Sequence, residues 1–170
     1  MLIILLLIAV IFMVTGLSGA PWVPARSFDV ERLLDDVNLQ KGQVFYELGC
    51  GDGRLVVAAA ARGAVAVGYE LNPLLWVIAW VRCLRYPTAK VKLANLWTVD
   101  LSKADVVMAF LVPRTMPRLH RKAKAELKST ALLVSYIFPI VGKKALPSRG
   151  SWHIYRYTHN SSKKAVAQTQ

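Results

Sequence analysis

The chain has 170 residues, of which 55% are hydrophobic, and a formal net charge of +12. That length provides one domain with a real core and excludes two. With only Cys50 and Cys83, a disulfide framework is excluded too, which favours a reducing compartment.

Residues 2–20 contain no charged side chain. At 1.5 Å per residue such a run spans roughly 28 Å, about one hydrocarbon core. A cleaved signal peptide is the rival reading, since Ser18, Gly19 and Ala20 are small. Against it, no Lys or Arg precedes the run and Pro21 would follow the cut. A buried core helix is the other alternative, but this run is apolar on all faces. The expectation is an uncleaved single-pass anchor. Arg26 and Arg32 follow it, so the positive-inside bias puts the rest of the chain on the cytoplasmic side of the membrane. Pro21-Trp22-Val23-Pro24 is then extended. Ser27 caps a predicted helix to about Val37, with Val30, Leu33, Leu34 and Val37 on one face.

Val44, Phe45 and Tyr46 read as a buried strand with Glu47 at its carboxyl end. Gly49, Gly51 and Gly53 make a turn where backbone approaches a ligand closely, because glycine lacks a Cβ and tolerates positive φ. A helix over residues 55–61 follows, and Gly63 stops it. A strand, a glycine turn and a helix amino terminus form a nucleotide-cofactor cradle. A dinucleotide fold wants a third glycine at position 54, which is Arg54. The carboxylate of Glu47 is awkward for a pyrophosphate and suits a ligand with positive charge. S-adenosylmethionine (SAM), with its sulfonium and ammonium, is such a ligand. Glu70 ends the next apolar run, residues 64–69, where these folds hold ribose hydroxyls. A surface glycine turn in some other α/β protein is the bland alternative, and a small side chain is all that Cys50 need supply.

Asn72 caps and Pro73 opens a predicted helix to about Arg85. Residues 74–81 leave it no polar face. Packing on the sheet is the plain reading; the sharper one has Trp76 or Trp80 touching lipid or a membrane-embedded substrate. Residues 91–93 make a third strand, followed by Asn95, Leu96 and Trp97. Residues 105–112 make a fourth, nearly all apolar as a parallel strand buried on both faces should be, and Pro113 ends it. Met116, Leu119, Ala123 and Leu127 mark an amphipathic helix with a basic outer face, with His120 read as a surface histidine. Residues 131–138 make a fifth strand, residues 153–157 alternate like an edge strand, and residues 160–170 read as a polar tail. Charge is uneven: twelve of the 22 basic residues lie from Arg114 onward, against Glu126 as the one acid. That third expects an anionic partner, lipid headgroups or nucleic acid, with a solvated basic face as the alternative. No internal repeat and no metal-ligand cluster emerges.

Pro21-Trp22-Val23-Pro24, Tyr69-Glu70-Leu71-Asn72-Pro73, Asn95-Leu96-Trp97-x-Val99-Asp100-Leu101-Ser102, Phe110-Leu111-Val112-Pro113 and Phe138-Pro139 recur in this order in one family. With the glycine turn, they resemble the membrane-associated lysine methyltransferases of the ATP synthase c-subunit and the adenine nucleotide translocase, and their prokaryotic relatives. These are class I SAM-dependent methyltransferases. The similarity covers about residues 21–158. The glycine motif alone is specific to the superfamily; the full set is more specific.

The resemblance implies an α/β fold, a Rossmann-like sheet with helices on both faces; the short stretch between Pro139 and Trp152 makes the part after the fifth strand shorter than is usual there, and the apolar run places one transmembrane helix before the domain. The domains so drawn are an anchor at 1–20, a methyltransferase domain at 21–158 and a disordered polar tail at 159–170. The cofactor site takes in Glu47, Gly49, Cys50, Gly51 and Gly53 of the turn, Glu70 and Leu71 after the second strand, and Asn95 and Leu96 after the third. Asn95 stands where the superfamily reads adenine, although relatives commonly carry aspartate there. Trp22, Trp97, Phe110 and Pro113 are candidates for the substrate pocket, and Asp100 is the one carboxylate nearby without another role. Trp22 replaces a frequent tyrosine, so any role for a hydroxyl is lost; interfacial anchoring is its alternative. The implied substrate is a lysine of a membrane protein, with the lipid surface as partner and no metal. Two alternatives remain: a nucleic-acid methyltransferase using the basic third as a phosphate track, and a non-catalytic membrane adaptor that kept the fold. The Asn/Asp-Pro-Pro-Tyr/Phe signature of amino-methylating DNA enzymes is absent, and Phe110-Leu111-Val112-Pro113 occupies its place.

Overall fold

Five apolar runs pair side by side as parallel strands in a computed structural model that describes residues 27–158. In chain order the elements are α1 (Ser27–Asp36), β1 (Val44–Leu48), α2 (Arg54–Ala61), β2 (Val65–Glu70), α3 (Pro73–Cys83), β3 (Ala89–Leu93), β4 (Val106–Ala109), α4 (Met116–Glu126), β5 (Leu132–Tyr136) and β6 (Trp152–Arg156). Short 3-10 turns at Leu96–Thr98 and Pro113–Thr115 follow β3 and β4. The sheet order is β3-β2-β1-β4-β5-β6, with β6 antiparallel on the edge. The order reverses between β1 and β4, and such a switch point opens a crevice at the strands' carboxyl ends.

Strand alternation divides the core. Phe45, Ala66, Met108, Val134 and Ile154 point to one face, under α1, α2 and α3. Tyr46, Val67, Val107, Leu133 and Tyr155 point to the other, under α4. Helices thus cover both faces, as expected. Trp152 is fully buried and its indole N–H donates to Asp36 at 2.9 Å, which ties β6 to the end of α1. Gly63 ends α2 as predicted: its amide donates to Ala60 and that of Ala64 to Ala59, the paired bonds of a Schellman cap. Asn72 caps α3, accepting from Leu74 and Leu75.

Several boundaries differ from the sequence reading. The fourth strand stops at Ala109 rather than residue 112, because Phe110, Leu111 and Val112 leave the sheet for the turn at Pro113. The fifth stops at Tyr136 rather than residue 138, because Ile137 takes φ 66°. Helix α3 ends at Cys83, and β3 begins at Ala89. On α4, Met116, Leu119 and Ala123 are buried as their spacing predicts. Its outer face is less uniformly basic than expected, since Lys122 is folded against Glu126 at 2.7 Å and is largely covered.

The expected anchor at 2–20, the segment with Trp22 and the expected tail at 160–170 lie outside the described residues. Among the described residues no helix is long and apolar enough to cross a membrane, and no group of three or more His, Cys, Asp or Glu could hold a metal ion.

Candidate active site

The glycine turn follows β1 at the crevice. Gly49, Gly51 and Gly53 have φ of 81°, 53° and 76°, a region that side chains with a Cβ rarely adopt. The amides of Gly49 and Cys50 both donate to the Tyr69 carbonyl, at 2.8 and 3.0 Å, so the turn is tied to the end of β2. The glycines then serve different ends. A Cβ on Gly49 would meet nothing within 4 Å, leaving open space above the turn. One on Gly53 would lie 2.9 Å from the Ala79 Cβ, so Gly53 lets α2 and α3 approach. Cys50 is buried and packs toward Gly68. Burial and the nearby Glu47 and Glu70 charges push its thiol pKa well up, consistent with a filling role for a small side chain.

Two carboxylates flank this turn in opposite states. Glu70 is buried at the end of β2, and both its oxygens are engaged by backbone amides. Oε2 accepts from Gly51 at 2.8 Å; Oε1 accepts from Leu71 at 2.9 Å and Asn72 at 2.8 Å. It therefore holds the turn, the half-exposed Leu71 and the start of α3 in one arrangement. Glu47 has a buried oxygen, Oε2, with no hydrogen-bond partner. Burial pushes its pKa well above the usual carboxylate range, and the Asp52 and Glu70 charges push the same way. The Val56 amide, in the first turn of α2, and the Arg54 charge oppose that shift. An unpaired buried acceptor costs on the order of 1–3 kcal/mol. Beside an open glycine, it suits a ligand that brings donors and positive charge, so these residues fit SAM.

Asp52, between the last two glycines, is also buried, and spacing arguments passed over it. It pairs with Arg54 at 2.7 Å and Arg82 at 3.0 Å. Burial works to raise its pKa, but the two guanidinium groups hold it below the ordinary value. The signal was present: Arg54 takes the place of a dinucleotide glycine, and Arg82 is the one charge in an otherwise apolar helix.

After β3, Asn95 is exposed and its Oδ1 accepts from the Trp97 amide at 3.0 Å, capping the 3-10 turn that Leu96 opens. One lone pair of that oxygen and the amide's donors are left for a ligand. Trp97 packs against the core on the α4 side, with the Arg118 guanidinium 4.3 Å over its ring. Asp100 accepts from the amide and hydroxyl of Ser102, so it caps a turn; those bonds, the backbone one first, hold its pKa low. His120 is half-buried rather than freely exposed, with Nδ1 2.9 Å from the Tyr157 hydroxyl.

At the carboxyl ends of β4 and β5 the structure brings together three residues that are far apart in sequence. Phe110 and Tyr136 meet edge to face at 5.2 Å, and the Tyr136 hydroxyl donates to Asp29 of α1 at 2.8 Å. Tyr136 and Asp29 were not foreseen, because only the sheet order makes residues 107 positions apart neighbours. Pro113 is exposed at the start of its turn.

Known proteins resemble this chain in sequence and in fold. A family profile described as "ANTKMT methyltransferase domain" matches residues 47–146. The Mus musculus lysine N-methyltransferase of the ATP synthase c-subunit is 40% identical over 123 residues, covering 70% of this chain and 49% of that protein. A protein-lysine N-methyltransferase of Saccharolobus islandicus (strain REY15A) is 34% identical over 127 residues, covering 72% of this chain and 79% of that one. The chain spans about half the length of the vertebrate relatives it matches. Among solved structures, an RNA methyltransferase from Salinibacter ruber in complex with S-adenosyl-L-homocysteine superposes with a TM-score of 0.73 at 28% identity, over 79% of this chain and 92% of that one. The profile spans both carboxylates, the turn between them and the whole of β2, so the chain belongs to the ANTKMT methyltransferase domain family.

Proposed function

We propose that this chain methylates a lysine side chain of a membrane protein, using SAM. The observation that carries the reading is the acid-flanked glycine turn, with its unpaired Glu47 oxygen, inside a region shared with lysine methyltransferases. SAM supplies a methyl group activated by a sulfonium. We assign Glu47, Gly49, Gly51, Glu70 and Asn95 to holding it, with Cys50, Gly53, Leu71 and Leu96 shaping the cradle.

The chain's own work is alignment and desolvation. A lysine with a reference pKa near 10.4 is neutral about once in 2,500 at pH 7, a cost of about 4.6 kcal/mol. Apolar walls disfavour the ammonium and lower that cost. Phe110 and Tyr136 supply such walls, Asp29 fixes the Tyr136 ring, and Pro113 borders the opening. Trp22 and Trp97 belong to the wider pocket in this reading. The domain works at a membrane, held by an uncleaved anchor at residues 2–20, with the catalytic part on the cytoplasmic side and the lipid surface as a partner. Relatives named for the ATP synthase c-subunit and the adenine nucleotide translocase support a membrane-protein substrate.

Calorimetry tests the cofactor half: Gly51→Val and Glu70→Ala are each expected to weaken SAM binding about a hundredfold, roughly 2.7 kcal/mol. Unchanged affinity in both would remove the core of the reading. The substrate half is tested by incubating the full chain with radiolabelled SAM and membranes from a strain lacking this gene. Label in lysine of a membrane protein is the expected result. The Salinibacter ruber similarity favours a second reading, RNA methylation. Label in RNA with membrane proteins unlabelled would put that reading in place of the first.

A further inference from the structure

Helix α3 packs through a narrow stripe, burying Leu75, Ala79 and Cys83 at a spacing of four. Its other apolar side chains face outward: Leu74, Val77, Ile78, Trp80, Val81 and Leu84 are all exposed, Trp80 by 47% and Val81 by 54%. At 3.6 residues per turn these six fill an arc of about 160°. No charge enters that arc before Arg85, since Arg82 lies outside it and reaches Asp52 at 3.0 Å. Trp76 and Trp80 stack at 6.5 Å, and the Trp76 indole donates to the Val91 carbonyl, which joins the arc to the edge strand β3. A contiguous apolar surface of this kind marks a contact site.

We infer that the outer face of α3 is a lipid-docking surface that seats this domain on an anionic bilayer. Charge selects the occupant. No Asp or Glu occurs between Glu70 and Asp100, whereas Arg82, Arg85, Lys90 and Lys92 all do. Arg85, Lys90 and Lys92 are exposed at the end of the helix and along the sheet edge. Tryptophan and aliphatic side chains within a basic rim match the boundary between acyl chains and phosphate headgroups. A symmetric pairing with a second copy would set the same cations against each other. Leu71 and Leu74 lie next to Glu70, so the docked face brings the carboxyl edge of the sheet to the bilayer. The inference rests on the helix face alone and stands or falls separately from the lysine reading.

The test is spin-label depth measurement on the full chain in vesicles of phosphatidylcholine and phosphatidylglycerol. Labels are placed by Val77→Cys, Val81→Cys and, on the opposite face, Lys124→Cys; native Cys50 and Cys83 are buried and escape labelling. Labels at 77 and 81 are expected to be relaxed several-fold more by oxygen than by a water-soluble nickel chelate, and the label at 124 the reverse. Labels at 77 and 81 as open to the chelate as the one at 124 would overturn the inference. So would labels shielded from both reagents, which would show protein covering the helix, either residues 2–20 or a second copy.

Discussion

Two turns leave the carboxyl edge of the sheet through the same left-handed backbone region, and they do so with opposite residues. After β1 the positions at φ 81°, 53° and 76° are all glycine. After β5 the position at φ 66° is Ile137, a β-branched residue for which that region is a genuine outlier. The first turn needs side chains absent: Gly49 leaves open space above it, Gly53 lets α2 and α3 approach, and its amides are held by the Tyr69 carbonyl and the Glu70 carboxylate. The second keeps a side chain where glycine would relieve strain. Neighbours over-determine it: the Ile137 amide donates to Ser151 at 2.6 Å, Phe138 donates to Tyr136 at 2.8 Å, and the Ser135 hydroxyl donates to the Phe138 carbonyl at 2.7 Å. Such strain persists where it serves a site. In the proposed reading, the cofactor side is thus built from what is missing, and the acceptor side from what is retained.

The largest effect that would break this comparison comes from the glycines themselves. Gly53→Ala combines positive φ with a Cβ only 2.9 Å from that of Ala79, and should cost about 3 kcal/mol of stability. Gly49→Ala meets no neighbour and should cost about 1 kcal/mol while abolishing SAM binding. Urea denaturation and calorimetry on both variants separate the packing glycine from the ligand glycine. Equal stability losses with equal SAM affinities would show that the two play one role.

Glu47 sharpens the comparison by about a tenfold effect. Its folded pKa is raised, so the folded state prefers it protonated. The stability it contributes is complete below its ordinary pKa near 4.5 and is lost as pH rises through the higher folded value. A cationic ligand favours the charged form, so SAM affinity should rise with pH over the same window. Glu47→Gln should flatten both profiles and weaken SAM about tenfold at neutral pH, roughly 1.4 kcal/mol. Stability and calorimetric titrations across pH check this; a wild-type affinity independent of pH would detach Glu47 from the ligand.

Local signals carried the cofactor half well. Strand, acid, glycines, helix, strand and acid fall within residues 44–70, and the bond from the Gly51 amide to Glu70 closes inside that one stretch of chain. The proposed acceptor half was legible only in part: Phe110 stood out in the sequence, Asp29 and Tyr136 did not. Asp29, Phe110 and Tyr136 meet only because β4 and β5 lie side by side and α1 folds back over the sheet. Helix α3 failed in another way: with every position from 74 to 81 apolar, periodicity could not tell the packed stripe from the outer face. The packed stripe is set by Ala79 and Gly53, small enough for α2 and α3 to approach. The period of α4 was readable because its apolar and basic residues alternate by face, but the pairing that draws Lys122 onto Glu126 was not anticipated.

The smallest effect concerns Ile137. The residue is 44% exposed, so little core packing holds it there. Glycine at φ 66° removes the strain. Even after the entropy that glycine adds to the unfolded chain, Ile137→Gly should gain about 1 kcal/mol. If the side chain forms the lip of the acceptor pocket beside Phe110 and Tyr136, that gain comes with a higher KM for the protein substrate and unchanged SAM affinity. Denaturation gives the first quantity, and steady-state kinetics with calorimetry give the others. A more stable variant with unchanged KM would mean that the strain serves the backbone turn alone, and the contrast between the two turns would reduce to one of local geometry.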